Sequence, residues 1–175
     1  MKSVLISIKP KWCELIANGK KTIEVRKTKP KLKPPFKCYI YCTKDKNNHF
    51  WTGKRYSYAD DHSHNAFDKI GSGKIIGEFV CDRIDTLPSN TVFNAPALYS
   101  QSCITREEFF EYAADDTVYF WHISYFWHIS KLEIYDMPKE LSNFTGLRET
   151  RFGAEPVEIV RPPQSWCYVE EVKSL

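Results

Sequence analysis

Residues 19–26 read Gly-Lys-Lys-Thr-Ile-Glu-Val-Arg, and this octapeptide decides how the N-terminal part of the chain folds. Its first residue, Gly19, suits the left-handed backbone conformation that commonly ends a helix. In residues 21–27 the side chains alternate, so that Ile23 and Val25 point to one side of a strand and the polar residues to the other. We therefore predict a helix that ends at Gly19 and a strand with an apolar back and a polar front.

The residues before the octapeptide predict a strand followed by a short helix. Val4–Ile8 is short, apolar and rich in β-branched residues, as a buried strand is. Pro10 fits the first position of a helix, where its missing N–H is tolerated. Trp12, Leu15 and Ile16 then recur at the spacing of one helix face. The octapeptide thus belongs to a strand–helix–strand unit.

Strands predominate in the rest of the chain. They are predicted at Phe36–Thr43, at Lys74–Cys81, within Thr117–Tyr135 and at Trp166–Glu170, and helices at Ser102–Ala114 and Pro138–Asn143. The length of 175 residues suits one domain, with a long inserted loop at about 44–73. Because the strands do not alternate regularly with long helices, we predict an α+β fold. Its body would be a small closed or partly open β-barrel of mixed, mainly antiparallel strands.

The net charge of +3 hides an asymmetry between the two ends of the chain. Residues 1–46 contain 13 Lys/Arg against 3 Asp/Glu, whereas residues 47–175 contain 12 Lys/Arg against 19 Asp/Glu. A basic end of this kind is typical of proteins that bind a polyanion. A solvated lysine surface kept for solubility is the alternative.

The sequence shows neither a signal peptide nor an apolar run of the roughly 20 residues that cross a membrane. We therefore expect a cytoplasmic protein without membrane partners. Its six cysteines are scattered and are expected to be reduced core thiols: Cys13, Cys38, Cys42, Cys81, Cys103 and Cys167. No motif calls for a cofactor.

A metal site is not predicted, although Cys38 and Cys42 are spaced like ligands and His62 and His64 lie in the long loop. In a strand, the two sulfurs would lie on one face about 13 Å apart. They could not share a zinc ion at Zn–S distances of about 2.3 Å.

The long loop interleaves aromatic rings and cations between His49 and Tyr58. This mixture suits stacking on unpaired bases while cations follow the phosphates. The alternative is a lid that packs its rings onto the body of the protein.

Residues 119–124 read Tyr-Phe-Trp-His-Ile-Ser and are repeated without change at 125–130. An insertion of six residues preserves which side chains face inward, because the strand period is two. The region is too long for one ordinary strand, so a bulge or an extra turn is expected. His122 and His128 are candidate site residues; the alternative is that both are partly buried strand histidines.

Glu24 and Arg26 are predicted to lie about 7 Å apart along one strand face, where their side chains can pair. Arg26 could then still offer N–H donors to a phosphate or a base edge. Lys21, at the end of the helix, would add a mobile cation. The alternative is an ordinary exposed ion pair, worth about 0–1 kcal/mol.

The pattern Gly19-x-Lys21-x-x-Glu24-x-Arg26, preceded by Ser7-Ile8-Lys9-Pro10 and the short helix, resembles the signature of the ASCH domain, a branch of the PUA-like superfamily. Segments 74–82, 127–136 and 162–170 resemble those of small phage or prophage ASCH proteins, in which a single Trp-His-Ile-Ser would be expected. The resemblance implies a PUA-like β-barrel with a cleft between sheet and helix. The signature residues would line that cleft.

The resemblance also implies binding of RNA or of a modified nucleotide. Two enzymatic activities are associated with the family: ribonuclease action and amide hydrolysis on N4-acetylcytidine. The amidohydrolase branch has a threonine nucleophile where this chain has Glu24, and a lysine that matches Lys21. Glu24 therefore argues against that mechanism here. Glu78 and Glu107 are the candidates for that branch's catalytic glutamate.

Our main hypothesis is a binding module for RNA or a nucleotide. The predicted nucleotide-binding residues are Lys9, Lys21, Thr22, Glu24, Arg26, His128 and Trp166. In this hypothesis Lys21 and Arg26 hold a phosphate or the polar edge of a base. Glu24 orients Arg26 or accepts from an exocyclic amine, and Trp166 stacks on the base.

Two alternatives remain. In a hydrolase acting on RNA or on an N4-acylated cytidine, Lys21 and Glu24 would form an acid–base pair without a metal. In a phage protein-interaction factor, the aromatic strand around Trp121 and Trp127 would contact the partner.

Overall fold

The computed structural model of the protein describes residues 2–44, 71–88, 96–113, 117–123 and 132–171. Most of the predicted inserted loop lies outside these ranges, as do His128 and Trp127. Within them, every helix is too short and too polar to cross a membrane.

The described residues form one β-sheet flanked by short helices. The strands are β1 (Ser3–Ile8), β2 (Ile23–Arg26), β3 (Phe36–Cys42), β4 (Ile75–Pro88), β5 (Thr117–Ile123), β6 (Leu132–Lys139), β7 (Phe144–Thr150), β8 (Gly153–Glu158) and β9 (Trp166–Glu171). The helices are α1 (Pro10–Ala17), α2 (Pro96–Ser102) and α3 (Arg106–Ala113), with a 3-10 turn at Leu141–Asn143.

The strand order of the sheet is β2-β5-β4-β3-β1-β9-β7-β8, and β6 also pairs with β4. Only β1 and β3 are parallel among the described pairs, which confirms a mixed, mainly antiparallel sheet with few helices. The strands at the two ends of the order, β2 and β8, do not pair with each other. The described sheet is therefore open, so the closed form of the predicted closed or partly open β-barrel is wrong for the described residues.

The long strand β4 is the branch point of the sheet. One of its edges pairs with β3, while the opposite edge is divided between β6, which pairs with its first half, and β5, which pairs with its second half. The register to β5 shifts between Cys81 and Ile84. The main path of the described sheet nevertheless runs through β4 without a break, and its unpaired ends are β2 and β8.

The two faces of the sheet build separate parts of the core. Alternate residues of β1 and β3, including Ile6 and Ile40, pack against α1 through Cys13 and Ile16. The intervening residues, such as Tyr39, face the opposite side and pack with Phe144 and Val169. Consecutive residues thus lie on opposite faces, as the period of a strand requires.

The helix before the octapeptide forms as predicted. Pro10 occupies its first turn, and Cys13 and Ile16 are buried beneath it. Gly19 has a φ of +77°, which confirms the predicted left-handed position. The amides of Lys20 and Lys21 both donate to the Leu15 carbonyl and satisfy the end of the helix.

The helical region predicted at Ser102–Ala114 contains the last residue of α2 and the whole of α3. The two helices are separated at Cys103, whose φ of 55° lies outside the helical range. Thr105 begins α3, because its hydroxyl accepts from the Glu108 amide at 3.1 Å while the Glu108 carboxylate accepts from the Thr105 amide at 3.0 Å. This reciprocal capping box satisfies backbone donors at the start of α3.

Replacing Gly77 with alanine is expected to lower the free energy of unfolding by about 1–3 kcal/mol, the range typical of overpacking. A Cβ at this position in β4 would lie 2.3 Å from the Glu133 carbonyl oxygen and 3.2 Å from the Ile134 Cα, both in β6. Because the obstacles are backbone atoms, β6 must move away. Urea denaturation measures the loss, and faster amide exchange in β6 would locate it. An unchanged unfolding midpoint would contradict this account.

Candidate functional site

A cleft of about 710 Å³ opens where four parts of the fold meet. It is bounded by the start of α1, by β2, by α3 and by the ends of β1 and β3. The signature residues Lys21, Glu24 and Arg26 line it, and Lys9 lines it from the turn before α1. A second cleft, of about 660 Å³, lies among β7, β8 and residues 159–164 and contains none of the predicted site residues.

The Glu24 carboxylate lies between two cations on the wall of the first cleft. Its Oε2 is 3.2 Å from Lys21 Nζ, and its Oε1 is 3.0 Å from Arg26 Nη2. Lys21 is 1% exposed and Glu24 is 4% exposed. The pairing of Glu24 with Arg26 is therefore confirmed, whereas an exposed ion pair and a mobile Lys21 are both wrong. We call Lys21, Glu24 and Arg26 the buried triad.

Main-chain carbonyls from two distant segments hold the cations of the buried triad. Lys21 Nζ donates to the Ser102 carbonyl at 2.6 Å, which ties the signature to the end of α2. Arg26 Nη2 donates to the Ser7 carbonyl at 2.5 Å, which ties it to β1. These contacts compensate part of the cost of burying charge, because each cation keeps both an anion and a dipole as partners.

Two polar atoms of the buried triad are incompletely satisfied. Arg26 Nε and Glu24 Oε2 are buried and have no hydrogen-bond partner among the described residues, although Oε2 keeps its ionic contact with Lys21. A buried donor or acceptor without a partner costs about 1–3 kcal/mol. Such atoms are rare in native proteins, and a site that receives a polar ligand is one explanation for them.

The rim of the cleft carries charges of both signs and two rings. Lys9 and Lys27 are exposed cations, and Glu108 and Glu111 face them from α3. Glu108 is itself engaged by Lys11 Nζ at 3.1 Å. Its backbone hydrogen bond at Thr105 and the Lys11 ammonium lower the pKa of the Glu108 carboxyl.

The two aromatic rings that line the cleft come from the helices on either side of it. Trp12 belongs to α1 and is half-buried, with Lys21 Nζ 4.9 Å from its ring centroid. Tyr112 belongs to α3 and is 38% exposed. An aromatic ring beside fixed donors is the combination that nucleobase recognition uses.

Two predicted site residues lie elsewhere. Thr22 is outside the cleft lining, and its backbone bonds to Gln101 and Ile123 instead. The indole of Trp166 packs against Trp121, with ring centroids 6.1 Å apart, and donates to the Thr28 hydroxyl at 2.9 Å. The Trp166 ring therefore packs against the core and does not line the cleft.

The described histidine of the duplication lies on the other side of the strand from Glu24. Glu24 is paired with Trp121, so the next residue, His122, points to the face of Ile23. There His122 Nε2 is 2.8 Å from Asp85 Oδ2, and the side chain is 14% exposed. His122 is thus a partly buried strand histidine, as the alternative proposed, while His128 lies outside the described residues.

Neither candidate for an additional catalytic glutamate lines the cleft. Glu78, on β4, accepts from Lys37 Nζ and from the Tyr135 hydroxyl, each at 2.5 Å. It belongs to the face of Tyr39, opposite α1. Glu107 is exposed on α3.

Cysteine chemistry does not contribute to the site. The described cysteines are free, and Cys38 and Cys42 point to the same core, as predicted. Burial and a hydrogen bond with Cys42 raise the pKa of the Cys13 thiol, which lies behind the buried triad. A protonated, buried thiol is a poor nucleophile.

Sequence reasoning missed the contribution of α3 to the cleft. Phe109 and Ala113 pack against Ile23 and Val25, and this packing carries Glu108 and Tyr112 to the rim. The apolar spacing within α3 predicts which face is buried. It does not identify β2, some 80 residues earlier, as the surface that receives it.

Comparisons with known proteins give one family and one fold. A sequence model described as the ASCH domain matches residues 6–87, which include the whole octapeptide. No protein of curated function matches the chain in sequence.

Solved structures extend the likeness over most of the chain. The chain is similar to the crystal structure of ASCH from Zymomonas mobilis, with a TM-score of 0.53 and 15% identity, over 96% of this chain and 87% of that chain. A tyrosine-to-phenylalanine mutant of the same protein gives a TM-score of 0.53 and 15% identity, over 97% of this chain and 91% of that chain. A serine-to-alanine mutant of that Zymomonas mobilis protein gives a TM-score of 0.51 and 15% identity, over 96% of this chain and 88% of that chain. At this identity the likeness shows the fold alone.

Proposed function

We propose that this chain, whose residues 6–87 match the ASCH domain and whose fold is that of an ASCH protein, is a binding module for RNA or a modified nucleotide. The ligand would enter the cleft between α1, β2 and α3. Lys9 and Arg26 would hold a phosphate or the polar edge of a base. A ring of the cleft, Trp12 or Tyr112, would take the stacking role that the sequence assigned to Trp166.

The observation that carries the proposal is the fixed orientation of Arg26. Glu24 and the Ser7 carbonyl hold its Nη2, and Nε has no partner among the described residues. A guanidinium that is already oriented loses little conformational freedom when it binds an anion or a base edge. Glu24 would then be the residue that orients Arg26.

Calorimetric titration of the intact protein with a random-sequence RNA, at low and at moderate salt, tests the proposal. We expect binding that weakens as salt rises, because a polyanion releases counterions when it binds. The same samples, analysed for cleaved RNA and for deacylated N4-acetylcytidine, report on catalysis. The proposal fails if no RNA and no modified nucleoside binds even at low salt.

The hydrolase alternative needs Lys21 or Glu24 to exchange a proton with a substrate. In the structure Lys21 is buried and already donates to Ser102, and each oxygen of Glu24 lies near a cation. Groups held in this way are suited to positioning a ligand. Turnover in the titration samples that disappears in Glu24→Gln would favour the hydrolase over the binding module.

The protein-interaction alternative loses one of its two contact residues. Trp121 is fully buried and packs edge-on against Phe36, so it cannot reach a partner. Trp127 lies outside the described residues. We propose further that the binding module acts in the cytoplasm; its phage or prophage origin stays a prediction.

A further inference from the structure

The connection from β2 to β3 presents four exposed lysines in alternation. Lys27, Lys29, Lys31 and Lys33 are all exposed, whereas two of the three residues between them, Pro30 and Leu32, are buried or half-buried. Pro30 is buried, and Leu32 packs against the main core. We call the four lysines the lysine ridge.

Specific contacts hold the backbone of the lysine ridge in place. The Thr28 hydroxyl accepts from Trp166 Nε1 at 2.9 Å. The Lys31 amide donates to the Tyr168 hydroxyl at 2.7 Å. These residues anchor the connection to β9, so the lysines project from a fixed support.

The lysine ridge begins at the cleft. Lys27 lines the cleft, with its Nζ 5.6 Å from the Tyr112 ring centroid. Lys29 Nζ lies 5.1 Å from the Tyr119 ring centroid. Cations and rings therefore continue from the cleft along one edge of the protein.

Acidic neighbours compensate the ridge only in part. Lys31 Nζ is 3.7 Å from Glu149, which also binds Lys2, and the Lys31 side chain remains 88% exposed. An exposed ion pair at this distance is weak. A polyanion could replace Glu149 as the partner of Lys31 without leaving a buried, unpaired charge.

From this arrangement we propose that the lysine ridge binds the phosphate backbone of a single-stranded RNA whose adjoining nucleotide occupies the cleft. The proposal rests on the proposed function and adds a second surface to it. Lysines at every second position of an anchored segment match a chain of regularly spaced phosphates. Rings beside the first two lysines suit unpaired bases better than an acidic protein surface.

The test compares two triple variants of the intact protein. The ridge variant carries Lys29→Ala, Lys31→Ala and Lys33→Ala, and leaves Lys27 in the cleft. The control variant carries Lys74→Ala, Lys139→Ala and Arg106→Ala, which removes the same charge from cations outside the ridge and outside the cleft lining. Binding of a random-sequence 12-nucleotide RNA is measured by fluorescence anisotropy over a series of salt concentrations.

The ridge variant is expected to bind the RNA more weakly. The slope of its log affinity against log salt concentration should be smaller in magnitude than that of the wild type by about two. Each phosphate contact on a single strand contributes about 0.7 to that slope, and three are removed. The control variant should keep the wild-type slope. Equal slopes for the ridge variant and the wild type would overturn the proposal.

Binding of ribonucleoside monophosphates distinguishes the contribution of the ridge from that of the cleft. Their affinity should be the same for the ridge variant and the wild type, because a single nucleotide in the cleft does not reach Lys29, Lys31 or Lys33. A monophosphate affinity that falls as far as the RNA affinity would overturn the ridge as a separate surface. The ridge variant could lose slope as expected while Arg26→Ala leaves RNA binding unchanged. That result would keep the ridge as an RNA-binding surface and exclude the cleft as the site of the adjoining nucleotide.

Discussion

Replacing Glu24 with alanine is expected to lower the free energy of unfolding by about 3–5 kcal/mol, the range found when one partner of a buried ion pair is removed. Lys21 is 1% exposed and would lose the carboxylate that its Nζ contacts, while its hydrogen bond to the Ser102 carbonyl remains. The removed carboxylate would also leave Arg26 without its anion. Urea denaturation of the wild type and the variant measures the difference.

An exposed carboxylate on α1 supplies the control for this prediction. Glu14→Ala should change the free energy of unfolding by less than about 0.5 kcal/mol, as surface substitutions usually do. Adding Lys21→Met to Glu24→Ala should recover part of the lost stability, because it removes the uncompensated buried charge. Equal, small effects of Glu24→Ala and Glu14→Ala would show that the buried triad does not stabilise the fold.

Replacing Arg26 with alanine is expected to weaken RNA binding by about tenfold or more, since hydrogen bonds to charged groups are worth about 1.5–3 kcal/mol. The slope of log affinity against log salt should also become shallower if Arg26 contacts a phosphate. Arg26→Lys keeps the charge but loses the planar arrangement of donors. It should restore the slope while recovering little of the affinity.

Two further variants distinguish a specific loss of RNA binding in Arg26→Ala from a general loss of folding. Lys9→Ala alters an exposed cation of the cleft without disturbing the buried triad, and it should weaken binding in the same direction. Arg106→Ala removes an exposed arginine that lies over the Phe110 ring, outside the cleft lining, and should leave binding unchanged. Wild-type affinity in a folded Arg26→Ala protein would exclude Arg26 from the ligand site.

Local patterns predicted the strand–helix–strand unit because its signals lie within a few residues of one another. The glycine at position 19 adopts the positive φ that its place after a helix suggested. The alternation of β2 correctly separated Ile23 and Val25 from Glu24 and Arg26. The β7–β8 hairpin escaped prediction, because β8 is largely exposed and lacks an apolar alternation.

The depth of the site could not be predicted from the same patterns. A charged residue on the polar side of a strand is usually solvated, yet Glu24 is almost fully buried. Its burial depends on α2 and β1, which supply the carbonyls of Ser102 and Ser7 to the two cations. The position of Trp166 was also not predictable from local patterns, since the half-buried ring packs against Trp121 of the core and lies outside the cleft lining.

By itself, the sequence determined which residues of the octapeptide share a face and where its helix ends, because these follow from dihedral preferences and spacing along the chain. Only the tertiary structure decided that the sheet stays open between β2 and β8, that the charged residues form a buried triad, and that α3 completes the cleft. Those outcomes depend on packing and hydrogen bonds between segments far apart in sequence, and no local periodicity encodes such contacts.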